Sequence, residues 1–208
     1  MKHLLLSITA ICFCLPLLQS QEFAGGLKAG IVGSQVDGDG YRGFNKPGIF
    51  GGAFVSLRTS DLSAFQMEIA FVQKGARKNP NYEIEDFEQY LLRTDYVELA
   101  FLYHLVYSEK LTFEAGPSFG YLMTTFEEKN LQQTTPVPFR KSIVNYLVGL
   151  YYYVNDRTGV NLRVNNSLMN FRDYSYLSGE KRLPDDTYRF FHYGQFHVAM
   201  VLSVQYRL

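Results

Sequence analysis

Apolar and polar residues alternate with a period of two along nearly the whole chain after position 21, and no segment sustains the i, i+3, i+4, i+7 spacing of an amphipathic helix. The clearest run is the last. Phe196, Val198, Met200, Leu202, Val204, Tyr206 and Leu208 form one apolar row, with His197, Ala199, Val201, Ser203, Gln205 and Arg207 between them. Phe65, Met67, Ile69 and Phe71 alternate in the same way with Gln66, Glu68 and Ala70. Val97, Leu99, Phe101, Tyr103 and Leu105 alternate with Glu98, Ala100, Leu102 and His104, and Leu111, Phe113 and Ala115 with Thr112, Glu114 and Gly116. Successive side chains of a strand point to opposite faces, so each row marks one face that meets an apolar medium.

The pattern predicts eight strands, at about 22–33, 47–58, 64–75, 91–107, 110–124, 142–154, 158–172 and 190–207. The connections 59–63, 108–109 and 155–157 are short and polar, whereas 34–46, 76–90, 125–141 and 173–189 are long. Strict alternation of long and short connections predicts an all-β fold of one kind: an eight-stranded antiparallel up-and-down transmembrane β-barrel, with short periplasmic turns and long outer loops. Closing the sheet on itself leaves no unpaired edge in lipid. Tyr103, Tyr107, Tyr121, Tyr151, Tyr153 and Tyr206 are candidates for aromatic girdles at the membrane surfaces, with Tyr151 and Tyr153 also able to face inward.

Lys2 and His3 precede an apolar stretch from Leu4 to Leu18, after which Gln19-Ser20-Gln21 turns polar. Residues 1–20 thus read as a secretory signal peptide cleaved between Ser20 and Gln21, leaving a barrel domain over 21–208. Cleavage removes Cys12 and Cys14, so the mature chain would hold no disulfide, iron–sulfur cluster or cysteine-bound zinc. The 20 basic and 20 acidic residues balance, which removes the positive field that nucleic-acid binding needs. Beyond the first twenty residues no apolar run is long enough for a membrane-spanning helix.

If the apolar rows face lipid, Lys28, Glu68, Glu98, Glu114 and Arg163 point into the barrel, with His104, His197 and Gln205 as further candidates. Eight strands enclose a space just wide enough for side chains to fill. Buried carboxylates need partners there, and the expectation is a paired polar network with Arg163 and Lys28 among the partners, and no open pore.

Several motifs invite chemical readings that their context opposes. Gly38-Asp39-Gly40-Tyr41-Arg42-Gly43 fits GxGxxG, but Asn45, Lys46 and Pro47 follow where a phosphate-binding helix would have to start. Asp37-Gly38-Asp39-Gly40 suggests calcium, yet the next acidic position is Tyr41. Asn165-Asn166-Ser167 is a glycosylation sequon inside a predicted strand, and His104, His192 and His197 lack metal-ligand spacing. Ser167 and His197 could lie on neighbouring strands as in a lipid-deacylating barrel, but nothing local marks them as a pair. No catalytic residue, metal or cofactor is expected. The loops 76–90 and 173–189 mix charges of both signs with tyrosines, which suits protein or glycan contacts.

Gly26-Leu27-Lys28-Ala29-Gly30, then Met67 to Ala76, then Tyr96-Val97-Glu98-Leu99-Ala100, then Glu114-Ala115-Gly116-Pro117 and Gly120-Tyr121-Leu122 resemble the PorT-like outer-membrane β-barrel family of Bacteroidetes. The resemblance covers about 26–123, and the family's Glu-Ile-Pro is replaced here at Leu99-Ala100. Tyr206 and Leu208 resemble the C-terminal assembly signal of outer-membrane barrels. The resemblance implies an eight-stranded "porin family" barrel and an association with type IX secretion.

The reading reached is a non-enzymatic, monomeric barrel in outer-membrane lipid that acts as an anchor for four recognition loops, with no nucleic-acid partner. Two alternatives stand beside it. One is a component of type IX secretion with cell-envelope or secretion-system partners. The other is a periplasmic lipocalin-like barrel whose apolar rows turn inward around an apolar ligand.

Overall fold

A computed structural model describes residues 22–134, 137–173 and 185–208; the proposed signal peptide at 1–20 lies outside the described residues, as does most of the 173–189 loop. Alternating sequence becomes strand almost throughout. The elements are β1 (Glu22–Asp37), β2 (Lys46–Ser60), β3 (Ser63–Lys78), β4 (Tyr90–Val106), β5 (Leu111–Lys129), β6 (Gln132–Gln133), β7 (Ser142–Tyr153), β8 (Thr158–Ser167), β9 (Thr187–Arg189), β10 (His192–Gly194) and β11 (Phe196–Arg207). One 3-10 turn, Tyr82–Ile84, interrupts the loop between β3 and β4.

Eight of these strands form the wall, each paired antiparallel with its neighbour in the order β1, β2, β3, β4, β5, β7, β8, β11. The first and last close the ring, from Gly26 opposite Arg207 to Asp37 opposite Phe196. Every wall strand thereby has a partner on both sides, which is the condition for a sheet to sit in hydrocarbon. β6 folds back on the end of β5, and β9 with β10 makes a separate hairpin above the barrel.

The parity of each strand sets the two faces. Leu27, Ile31, Ile49, Phe65, Ile69, Phe119 and Val204 stand exposed on the outside, each with nearly half or more of its surface uncovered by protein. Their in-between neighbours are buried inside. The apolar rows therefore point outward, which overturns the lipocalin-like alternative, because a calyx needs its apolar side chains in the lumen. At the end with the short turns, Phe65 meets Tyr103 edge-on at 5.3 Å and Tyr107 meets Phe113 at 6.2 Å, an aromatic cluster on the outer surface. Tyr151 and Tyr153 point inward and stack on each other at 5.7 Å between centroids.

Four strand limits differ most from expectation. β5 continues to Lys129 and β1 to Asp37, beyond the predicted 124 and 33, because backbone pairing outlasts the apolar face that made the strands legible. The strand expected at 158–172 stops at Ser167, and the chain bends so that Arg172 enters the barrel mouth. The strand expected from 190 begins at Phe196: Phe190 and Phe191 have φ of 46° and 68° and form the turn of the β9–β10 hairpin, so two apolar residues that looked like strand serve as a reversal.

An arginine at Ile69, midway along the β3 apolar row, should lower the unfolding free energy in lipid vesicles by about 2–4 kcal/mol. Urea titration followed by tyrosine fluorescence measures this, and an unchanged midpoint would mean that this face meets water.

Candidate functional site: the ion-paired interior

The inward positions hold charges of both signs, stacked along the barrel in three groups. Nearest the short turns, Arg163 of β8 faces two carboxylates at once. Its Nη1 and Nη2 donate to Glu68 at 2.7 and 3.1 Å, and its Nε and Nη2 donate to Glu114 at 2.7 and 2.9 Å. The planar guanidinium fork allows two bidentate pairs from one side chain, which an ammonium could not make. Lys28 of β1 adds a contact of 2.5 Å to Glu68 and lies 5.2 Å from the centre of the Tyr151 ring. Asn161 donates to Glu114 at 2.8 Å, and His104 Nε2 stands 3.6 Å from the same carboxylate.

The second group centres on Glu98 of β4. Its two oxygens receive Lys74 at 2.5 Å, Asn165 at 2.8 Å, Asn145 at 3.2 Å and Ser118 at 3.3 Å, which fills the acceptor capacity of a carboxylate. Lys74 also donates to Asn165 at 2.9 Å. Above it His197 stacks on Phe171 at 4.0 Å and reaches Thr94 and Tyr96 at 3.4 Å each. In the third group, at the outer mouth, Arg172 grips Glu127 at 2.5 and 3.1 Å and takes Gln195 and the Val137 carbonyl as further acceptors. Tyr90 donates to Glu127 at 2.8 Å, and Phe139 lies 4.6 Å from the guanidinium carbon.

Lys28, Lys74, Arg163 and Arg172 thus face Glu68, Glu98, Glu114 and Glu127, four cations against four carboxylates, all of them buried. All five residues expected to form an interior network lie inside. Four of them, Lys28, Glu68, Glu114 and Arg163, come together in one group. Glu98 does not join them: its partner is Lys74, two inward steps beyond the apolar row that stops at Phe71. His104, His197 and Gln205 also lie inside, with Gln205 donating to Tyr153 at 3.4 Å.

Sequence reasoning missed Lys74, Glu127 and Arg172. Carrying the parity Gln66, Glu68, Ala70, Val72 forward would have found Lys74. Glu127 lies past a register shift opposite Asp95 and Tyr96, which re-phases β5. Arg172 would face outward were β8 continued, and reaches the mouth only because the strand ends first.

The motifs resolve in plain structural terms. Gly38, Gly40 and Gly43 have φ of 90°, 78° and 99°, so this glycine pattern serves a loop backbone that other residues rarely adopt. Asp37 pairs with Arg189 at 3.2 Å. Ser167 and His197 do sit on neighbouring strands, but Ser167 Oγ accepts from the His197 backbone N–H at 2.8 Å and donates to the His197 carbonyl at 3.4 Å, so its contacts are with the main chain. Among the described residues no group of three or more His, Cys, Asp or Glu side chains could hold a metal.

At the outer rim, Lys78 bridges Asp86 and Glu88 at 2.8 Å each, and Lys129 reaches Glu88 at 2.8 Å. The Lys129 hydrogen bond, followed by that of Lys78, holds the Glu88 carboxyl down at about 2. Asp39 behaves oppositely. One of its oxygens accepts from the Tyr41 N–H at 2.8 Å while the other has no hydrogen-bond partner, and burial raises its pKa to about 7.

A closed antiparallel barrel with an apolar outer wall and a charge-neutral interior defines an integral outer-membrane β-barrel protein. Residues 19–173 match the model of the family described as outer membrane protein beta-barrel domain, and the chain belongs to that family. No curated protein matches its sequence. Among solved structures it is similar to Ail, the attachment invasion locus protein of Yersinia pestis, at 15% identity and a TM-score of 0.51 over 90% of this chain and 99% of that one. It is similar also to Neisserial surface protein A, at 8% identity and a TM-score of 0.51 over 91% and 100%. At these identities the likeness is one of fold.

Replacing Glu98 by Ala strips Lys74 of its counter-charge and should cost about 3–5 kcal/mol, read as a lower melting temperature in detergent; an unchanged melting temperature would count against the pairing. The rim carboxylates carry opposite signs. Stability from Glu88 is present above its ordinary 4.5 and lost as pH falls through about 2, whereas stability from Asp39 is present below its ordinary 3.8 and lost as pH rises through about 7. Asp39→Asn should therefore raise the melting temperature at pH 8 and leave it nearly unchanged at pH 4.

Proposed function

We propose that this outer-membrane barrel is a non-enzymatic anchor without an open pore, whose outer loops carry recognition. The observation that carries the reading is the filled lumen: Arg163, Lys74 and Arg172, with their carboxylates, cross the interior at three successive levels. A water path through an eight-stranded barrel would have to displace these pairs.

The loops supply the other half of the argument. Tyr82, Ile84 and Phe87 are each about two-thirds or more exposed at the tip of the second loop, and Tyr82 meets Phe87 edge-on at 5.8 Å. Phe191 and Leu131 are exposed on neighbouring loops. Apolar and aromatic tips on a charged loop suit binding to another protein or a glycan. That the attachment invasion locus protein, so named, uses the same barrel supports a surface role. The PorT-like motifs favour a second reading, a component of type IX secretion, in which the same loops or turns would meet secretion-system proteins.

Purified full-length protein in planar bilayers should give no steady conductance, and an ohmic current would overturn the closed barrel. Phospholipid vesicles should release no fatty acid; release abolished by Ser167→Ala would make the protein an enzyme. Crosslinking in its native cells followed by purification should capture a surface partner that Tyr82→Ala/Phe87→Ala loses, whereas capture of secretion-system proteins would select the second reading.

A further inference from the structure

On the outside of the barrel the apolar wall stops abruptly toward the loop end, across β2 to β5. Phe71 is followed on the same face of β3 by Gln73, and Val97 on β4 by Asp95. Asp95 lies against the wall, where Gln73 donates to it at 3.0 Å and Arg93 pairs with it at 3.4 Å. Next to them opens a groove of about 490 Å³, whose lining combines Lys46, Arg77 and Arg93 with Pro47, Leu91 and Phe126.

The charge in this groove is unbalanced. Its lining holds three cations and no carboxylate, and Asp95 beside it offsets one of them. Lys46 donates to the Pro47 carbonyl at 2.7 Å and Arg77 to the Asn79 side chain at 2.8 Å, and among the described residues neither is paired with an acid. This differs from the interior, where every level is neutral. Cations left without a carboxylate at the edge of a hydrocarbon-facing wall gain from anions in their surroundings, and the headgroup level of a membrane supplies them.

The geometry points to a binding site for a phosphorylated glycolipid of the outer leaflet, its phosphate held by Arg77, Arg93 and Lys46 and its acyl chains lying along the wall past Phe71 and Val97. Two features select this occupant. The cluster sits where the apolar rows end on the loop side, which is the level of outer-leaflet headgroups. Leu91, Pro47 and Phe126 give the groove an apolar side that a free phosphate would not use. The site rests on the outer-membrane placement of the barrel and is independent of what the loops recognise.

Native mass spectrometry of the full-length barrel in detergent, titrated with diphosphoryl lipid A, dephosphorylated lipid A or phosphatidylglycerol, tests the site. Diphosphoryl lipid A should be retained as a one-to-one adduct, and both other lipids should bind at least several-fold more weakly. Arg77→Gln/Arg93→Gln should weaken the adduct on the order of tenfold to thirtyfold while the melting temperature in detergent stays that of the unaltered barrel. Arg77→Lys/Arg93→Lys keeps the charge and should retain it, and Arg58→Gln at the opposite end should change nothing. Equal binding by the double glutamine variant, or by dephosphorylated lipid A, would overturn the phosphate site. Equal binding of phosphatidylglycerol would overturn the choice of glycolipid.

Discussion

A backbone that enters hydrocarbon must pair every N–H and C=O group it carries, and β1 meeting β11 is where this chain satisfies that demand. The remaining features follow from that closure. Once the sheet is a ring, one face of every strand meets lipid and must be apolar, so polar side chains are confined to the lumen. With eight strands the lumen has room for side chains and little else. Charges placed there lose most of their hydration and persist only as neutral groups, which is what Arg163 between Glu68 and Glu114, and Lys74 inside its four-membered set around Glu98, provide.

The outer rim obeys other rules. Lys78, Lys129, Asp86 and Glu88 form their ion pairs partly exposed, where solvent and salt screen them, while the same chemistry around Arg163 is shielded by the wall. The interior pairs are thus insulated from pH and salt more than those of the rim. Among the described residues no interior pair below Arg172 draws on a loop residue, so the two sets of ion pairs are separate.

Most of the fold was legible because lipid imposes a period-two code that the sequence repeats eight times. Val97 to Leu105 and Phe196 to Leu208 display it without interruption, and the length of the connections separated a loop end from a turn end. Legibility ended where the code did. Beyond Phe71, Val97 and Met123 the outward apolar rows end while the strands run on, so Asp37 and Lys129 belong to strand extensions that no apolar row announced. Lys28, Glu68, Glu114 and Arg163 could be placed inside by parity, but the pairing of Glu98 with Lys74 required knowing how neighbouring strands are staggered. Glu127 and Arg172 were hidden further, one by a register shift and one by a strand that ends early. Phe190 and Phe191 misled for the reverse reason, being apolar residues that occupy a turn.

The groups inside the barrel draw on very different stretches of chain. Lys74 and Glu98 are 24 residues apart on adjoining strands, so that pair is neutral as soon as one hairpin forms. Arg163 is 95 residues from Glu68 and 49 from Glu114. Until β8 arrives, the first five wall strands bring two carboxylates and only Lys28 to that level, and the excess negative charge opposes their burial. Charge balance at that level is therefore reached only when the C-terminal strands join the N-terminal ones, which makes neutrality of the interior a property of the completed ring and of no part of it.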